Sequence, residues 1–212
     1  MSTPQIQPPH DDAPSPDWPT GWALPLIESP ETTEPTRRAL LARLVAAPDS
    51  PQFFDADAYE TFAAACARLV PSTDLSDQID VAAAIDRRLA DGAGDGWRYA
   101  ALPPDGEAFR RGVSALDAAA EQAHAERFCD LGPARQDAIL ADAQHARAAF
   151  AHLDGFDARL WFSDWLTEAA GLFFGHPLAQ QNIGYAGFAD AAGWTNIEMG
   201  QRDDREPLPV LL

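Results

Sequence analysis

Histidines and carboxylates are the side chains in this sequence whose spacing could serve a metal or an acid-base site. His145 and His152 are seven positions apart, which places both on one face of a helix if a single helix runs through them. A metal site needs three or four ligands with defined geometry, and no HExxH or comparable unit accompanies the pair. The pattern favours surface histidines on an acidic helix. His176 follows a predicted helix end, where a charged imidazolium would suit the helix dipole.

Carboxylate pairs and glycine-rich runs indicate no catalytic site either. Asp77 and Asp80 form one pair, and Glu121 and Glu126 form another. In a chain with 33 acidic residues such pairs arise by chance. The glycine-rich run at 92–96 follows a predicted helix and not a strand, so it does not indicate a dinucleotide site. The sequence contains no GxSxG unit and no P-loop.

Cysteine and tryptophan positions are typical of helix interiors. Cys66 and Cys129 belong to no CxxC unit, which predicts two small core residues and leaves the redox compartment open. Trp161 and Trp165 lie one turn apart on one predicted helix face. A core position and an interface position are both compatible with this pair, because tryptophan is enriched among residues that anchor interfaces.

Amphipathic helices must position these side chains. Apolar residues recur at helical spacing from about residue 35 onward, and no strand pair or fixed repeat is present. Asp55 is an apt N-cap for one of the helices. The predicted helices begin near Pro35, at Asp55, near Ser76, behind Pro104-Asp105, near residue 134 and at Asp157. The sequence therefore predicts an all-α protein, with about six helices in an irregular bundle over residues 35–175.

An arm of unusual composition is predicted at each end of this bundle. Residues 1–34 hold eight of the eighteen prolines, a density that disfavours helix and favours extended chain. Residues 176–212 continue a glycine-rich and aromatic segment that starts at Phe173. A solvated tail would expose its aromatic side chains at a cost. We therefore expect both arms to lie against a surface, either the chain's own helices or another protein.

Charge and targeting patterns narrow the classes of partner. The chain has 15 basic and 33 acidic residues, for a net charge of −18, and contains no lysine. Nucleic acids and anionic lipids bind through cationic contacts, so neither is expected as a partner. No apolar run is long enough to span a membrane. Arg37-Arg38 precedes an apolar stretch that Arg43 interrupts and Pro48 ends, which indicates a helix start and not a twin-arginine export signal.

Several segments between residues 50 and 200 occur in a recognisable order. They are the helix end and turn Leu69-Val70-Pro71-Ser72-Thr73-Asp74, the helix with Ile79, Asp86 and Leu89, the helix with Ala115-Leu116-Asp117, the stretch from Phe128 to Ile139, the helix Trp161–Phe174, and the ending Ile183-Gly184-Tyr185-x-Gly187. In this order they resemble the gluconate 2-dehydrogenase subunit 3 family, the small or gamma subunits of FAD-dependent dehydrogenases.

The resemblance implies a non-catalytic subunit. In that family the small subunit partners a large flavoprotein of the glucose-methanol-choline type, which oxidises a sugar or polyol hydroxyl, and a cytochrome c subunit often takes the electrons. The pattern is also similar to that of family members that pair with glycoside or sugar 3-dehydrogenases. FAD is then expected in the partner, with no catalytic residue, cofactor or metal in this chain. Many members carry a twin-arginine signal, and its lack here implies a cytoplasmic pair.

The aromatic side chains of the arms are the expected partner contacts. They are Trp18, Trp22, Phe173, Phe174, Tyr185, Phe188 and Trp194. Two alternatives remain at this stage. One is a stand-alone enzyme or metal protein that uses His124, His145, His152 and nearby carboxylates. The other is a ligand-binding helical bundle with its pocket between Trp97, Trp161 and Trp165.

Overall fold

The structure is a computed structural model, which describes residues 19–45, 50–71, 75, 78–94, 99–153, 155–193, 200–201 and 204–208 of the 212-residue chain. Helices are the only regular elements in these ranges, which confirms the all-α prediction. The helices are α1 (Ala23–Glu28), α2 (Glu34–Ala42), α3 (Ala56–Leu69), α4 (Val81–Ala90), α5 (Asp105–His124), α6 (Pro133–Gln144), α7 (Ala158–Phe174) and α8 (Pro177–Asn182), and short 3-10 helices span Phe128–Asp130 and Ala148–His152. Six of the α-helices exceed six residues, in agreement with the six that the apolar spacing predicts.

Side-chain caps fix where three of the helices begin. The carboxylates of Asp55, Asp80 and Asp157 each accept a hydrogen bond from a backbone N–H in the first turn of α3, α4 and α7. The predicted cap at Asp55 is thus confirmed. The start of α4 lies later than the predicted start near Ser76, because the cap that anchors this helix is Asp80.

Two predicted elements differ from the structure for backbone reasons. The predicted helix over 134–150 divides into α6 and a 3-10 helix, because Ala146 and Ala148 have φ values of 47° and 48° and left-handed residues cannot continue an α-helix. The predicted extended arm at 1–34 contains the short helix α1. Pro25 is compatible with α1 because it lies in the first turn, where a missing N–H costs no hydrogen bond.

The chain divides into two compact units. The helical unit is Ala39–Ala179, and the terminal unit combines Met1–Arg38 with Gln180–Leu212. Residues from the two predicted arms, 1–34 and 176–212, therefore share one unit. No described helix is both long and apolar enough to span a membrane.

Tryptophans form the centre of the helical unit. Trp161 and Trp165 are 1% and 0% exposed, and their rings stack with centroids 5.1 Å apart. Phe62 of α3 stacks on Trp165 at 5.5 Å. At Gly112 of α5 an added Cβ would lie 2.1 Å from the Trp161 ring, so the α5 backbone approaches the indole as closely as glycine allows. The sequence left both a core and an interface position open for Trp161 and Trp165, and the structure places both in the core.

Buried polar groups tie further segments to this core. The Asp86 side chain of α4 is 2% exposed and accepts hydrogen bonds from the backbone N–H groups of Gln52, Phe53 and Phe54. These contacts hold the chain that precedes α3 against α4. Arg88, two residues further along α4, donates to Glu168 on α7 and to Asp105 on α5.

Candidate functional site

The histidines do not assemble into a site in the part of the chain that the structure describes. His145 is exposed and ends α6, and the left-handed Ala146 directly after it separates it from the next helix. His145 and His152 therefore do not share one helix, and the side chain of His152 lies outside the described structure. Across the described ranges, no group of three or more His, Cys, Asp or Glu side chains could hold a metal ion.

His176 is a neutral structural residue, and the predicted imidazolium at the helix end is wrong. Its side chain is buried, and burial is the main cause that lowers its pKa. Nδ1 accepts a hydrogen bond from the backbone N–H of Leu178 at 3.3 Å, which requires a lone pair on that nitrogen. The cation that serves the α7 end is instead Arg43, whose guanidinium donates to the carbonyl of Gly175.

The cysteines are thiols in partly or wholly apolar surroundings. Cys66 is buried, as predicted, and burial raises its pKa. Cys129 is only half-buried, so the prediction of a core position is wrong for it, although burial still raises its pKa. A raised pKa leaves little thiolate at neutral pH, and thiolate is the reactive form.

Aromatic contacts join the two arms inside the terminal unit. The indole of Trp22 stacks on Phe188, with ring centroids 6.1 Å apart and planes 15° from parallel. Trp22 Nε1 also donates to the carbonyl of Gln181 at 3.2 Å. The next backbone N–H, that of Ala23, donates to the Gln181 side chain at 3.4 Å. Two of the aromatic side chains predicted to need cover, Trp22 and Phe188, thus cover each other.

A carboxylate makes the second connection between the arms. Asp190 accepts hydrogen bonds from the backbone N–H of Thr33 at 2.8 Å, from the Thr33 hydroxyl at 2.9 Å and from the Thr36 hydroxyl at 2.7 Å. The bond from the Thr33 backbone is the largest cause that lowers the Asp190 pKa. Because Thr33 directly precedes α2, a side chain from the C-terminal arm caps this helix.

Two arginines secure the loops of the same unit. The Arg37 guanidinium donates to the carbonyls of Ile27, Ser29 and Thr32, which fixes the chain at the end of α1. Arg37 and Arg38 both lie in α2, which confirms the prediction that this pair belongs to a helix. Arg205 in turn donates to the carbonyls of Ala189 and Gly193 at 2.7 and 2.6 Å.

The Gly-Tyr-x-Gly ending forms an aromatic platform, in which the ring of Tyr185 packs on Gly187. Gly184 has a φ of 68°, a left-handed turn that glycine adopts at little cost. The backbone N–H of Tyr185 then donates to the carbonyl of Gln180 at 2.9 Å. A Cβ at Gly187 would lie 2.1 Å from the Tyr185 hydroxyl oxygen, so the phenol ring covers this glycine. The ring is nevertheless 50% exposed.

The seven predicted contact residues differ widely in how much surface they offer. Phe173 and Phe188 are 3% and 5% exposed, and Trp22 is half-buried. Phe174 and Tyr185 are 43% and 50% exposed. The remaining two, Trp18 and Trp194, lie outside the described residues. Partner binding by these side chains stays a prediction, and the structure gives Phe174 and Tyr185 the most surface for it.

Two exposed apolar residues of the terminal unit were not singled out from the sequence. Leu24 is 43% exposed and Ile183 is 51% exposed. One contact between the arms is the hydrogen bond from the Ala23 backbone to the Gln181 side chain. Leu24 is the residue after Ala23, and Ile183 lies two residues after Gln181, so the two apolar side chains flank this contact. Tyr185 adjoins Ile183 through Gly184. We call Leu24, Ile183 and Tyr185 the terminal apolar set.

Comparison with protein-family models shows to which family the chain is related. Residues 56–199, more than half of the chain, match the family described as Gluconate 2-dehydrogenase subunit 3. The chain belongs to this family. Neither the search of curated proteins nor the search of solved structures finds a match.

Membership in the gluconate 2-dehydrogenase subunit 3 family implies an accessory role in a complex with a larger partner. The matched residues include the ending with Ile183 and Tyr185, and they begin after the N-terminal arm. The platform around Tyr185 therefore belongs to the family region, whereas Trp22 and Leu24 precede it.

Proposed function

We propose that this subunit binds and stabilises a large FAD-dependent dehydrogenase of the glucose-methanol-choline type, which oxidises a sugar or glycoside hydroxyl. The family match supports an accessory role, and the resemblance in segment order supports this class of partner. In this proposal the large subunit supplies the active site. A cytochrome c or another acceptor takes the electrons from its flavin.

The FAD belongs to the partner in this proposal for a structural reason. Dinucleotide sites of the βαβ type place the pyrophosphate at a glycine-rich turn between a parallel strand and a helix. The described residues of this chain form helices, and their glycine-rich turns follow helices. They do not fit a flavin site of this type.

The observation that carries the proposal is that Tyr185 is 50% exposed although its ring packs on Gly187. Its ring is held over Gly187 and its backbone is bonded to Gln180, yet half of its surface remains open. Aromatic side chains that are fixed before binding lose little entropy on association, and they are frequent among the residues that dominate interfaces. Ile183 and Leu24 add apolar surface beside the same contact between the arms.

Truncation of the terminal apolar set tests this assignment. We expect Tyr185→Ala and Ile183→Ala each to weaken association with the large subunit by about tenfold, as a loss near 1.4 kcal/mol implies. Leu208→Ala is the matched control, because Leu208 is 68% exposed in the same unit but outside the set. Association is measured by titration of the purified large subunit. Equal affinity for Tyr185→Ala, Ile183→Ala and Leu208→Ala would contradict the proposal.

A further inference from the structure

A groove in the helical unit shares no residue with the terminal apolar set. It has a volume of about 540 Å³ and lies between the end of α2, the turn that precedes α4 and the end of α7. Its apolar lining includes Leu44, Val45, Ile79, Leu172 and Leu178. A groove of this size and composition can hold several apolar side chains.

The apolar surface of the groove continues outward past its mouth. Val45 is 67% exposed and Leu44 is 38% exposed, although both line the groove. A small molecule seated inside would leave much of Val45 in water. A protein segment laid along the groove would cover both side chains, and exposed apolar surface next to a concavity is typical of protein interaction sites.

The charges at the groove are unusual for this acidic chain. The chain carries a net charge of −18, yet two arginines, Arg43 and Arg87, line the groove. Arg43 is engaged with the carbonyl of Gly175. The one carboxylate in the lining, Asp80, accepts the N–H of Ala83 in the α4 cap.

Arg87 is the cation that remains available. Its guanidinium makes no hydrogen bond or ion pair with any other residue that the structure describes. The other titratable side chain of the lining, His176, is neutral, as shown above. A cation beside apolar walls complements an apolar segment that carries a carboxylate, since such a pair directs and orients association.

We propose that this groove binds an apolar segment of the large partner subunit, with an Asp or Glu of that segment paired to Arg87. This inference rests on the proposed function, because it takes the large subunit as the partner. The walls and the exposed Val45 supply apolar contact, and Arg87 sets the direction and register of the bound segment. The groove is then a docking site separate from the terminal apolar set.

Charge reversal in the intact complex tests the assignment. Arg87→Glu should weaken association of the full chain with the large subunit by tenfold or more, because it removes a charge-assisted hydrogen bond and places two like charges together. Arg135→Glu is the matched control, because Arg135 is an exposed α6 residue outside the groove and the change in net charge is the same. We expect less than a twofold change for this control. Val45→Ser, which removes only apolar contact, should weaken association severalfold.

The outcomes separate the two proposals. If the wild-type chain fails to bind the large subunit, the proposed function fails and the groove assignment falls with it. If the wild-type chain binds and Arg87→Glu binds like Arg135→Glu, the groove assignment alone is overturned. Titration of the free subunit with laurate, an apolar carboxylate, provides the remaining check. If Arg87→Glu abolishes laurate binding but leaves association with the large subunit unchanged, the groove is a small-ligand site, and its assignment as a docking site for the partner is overturned. Circular dichroism of each variant confirms that it is folded.

Discussion

Adding one methyl group at Gly187 should weaken partner binding without unfolding the chain. In Gly187→Ala the new Cβ would lie 2.1 Å from the hydroxyl oxygen of Tyr185 and 2.2 Å from its Cζ. Real Cβ contacts essentially never fall under 3.0 Å, so the phenol ring must move by roughly 1 Å or more. The ring is half exposed and can swing outward, which limits the cost to stability to about 0.5–1.5 kcal/mol, the range of an off-rotamer side chain.

The cost to binding should be larger than the cost to folding. A displaced Tyr185 no longer presents the surface that the partner fits, and the loss of one such contact corresponds to about a tenfold change in Kd. Gly171→Ala is the control, because nothing lies within 4 Å of a Cβ at this exposed position in α7. An alanine there should stabilise the chain by about 0.5–1 kcal/mol and leave binding unchanged.

Two measurements are needed for each glycine variant. Urea unfolding followed by circular dichroism gives the free energy of unfolding, and titration with the large subunit gives Kd. We expect Gly187→Ala to lose affinity and Gly171→Ala to retain it. If Gly187→Ala binds as tightly as the wild-type chain, the reasoning that a fixed Tyr185 contacts the partner is refuted.

Three further predictions concern stability and pH. Asp86→Ala should lower the free energy of unfolding by about 2–4 kcal/mol, because the buried N–H of Phe54 loses its hydrogen-bond acceptor. Urea titration measures this free energy, and a decrease of less than about 0.5 kcal/mol would contradict the prediction. The lowered pKa of Asp190 means that its carboxylate stabilises the fold above the unfolded-state pKa near 3.8, and that this stability is lost as the pH falls through the lowered value. Asp190→Asn should therefore remove part of the acid dependence of the free energy of unfolding, measured by urea titration at several pH values; an unchanged acid dependence would argue against it. The lowered pKa of His176 means that the unfolded chain takes up a proton at a higher pH than the folded chain, so stability should fall as the pH drops below about 6.5. In His176→Gln the thermal midpoint should no longer fall with pH over this range. A dependence of the midpoint on pH that persists in this variant would assign it to another group.

Helix positions could be predicted from the sequence where local chemistry decides them. Asp55 and Asp157 mark the starts of α3 and α7. A carboxylate at the N-cap accepts hydrogen bonds from the free N–H groups of the first turn, whatever the helix packs against. The break after α6 could not be predicted, since Ala146 and Ala148 adopt left-handed backbone that alanine rarely takes.

The candidate site was predictable in composition but not in detail. The aromatic content of the arms predicted that their rings would be covered, and within the terminal unit this holds for Trp22 and Phe188, which stack on each other. Which aromatic side chains remain exposed depends on contacts between residues far apart in sequence. Leu24 and Ile183 were missed for this reason, although Ile183 adjoins the Gly-Tyr-x-Gly ending. The availability of Arg87 likewise depends on the packing of α4.

Purification of the large flavoprotein with and without this chain tests the central claim most directly. The measured quantity is the bound flavin per large subunit, together with sugar dehydrogenase activity per flavin. We predict that the large subunit expressed alone is less soluble, holds less flavin and is less active per flavin than the co-expressed subunit, and that co-expression with this chain raises all three properties in a complex that elutes as one species. A large subunit that is equally soluble, flavinated and active alone would contradict the account.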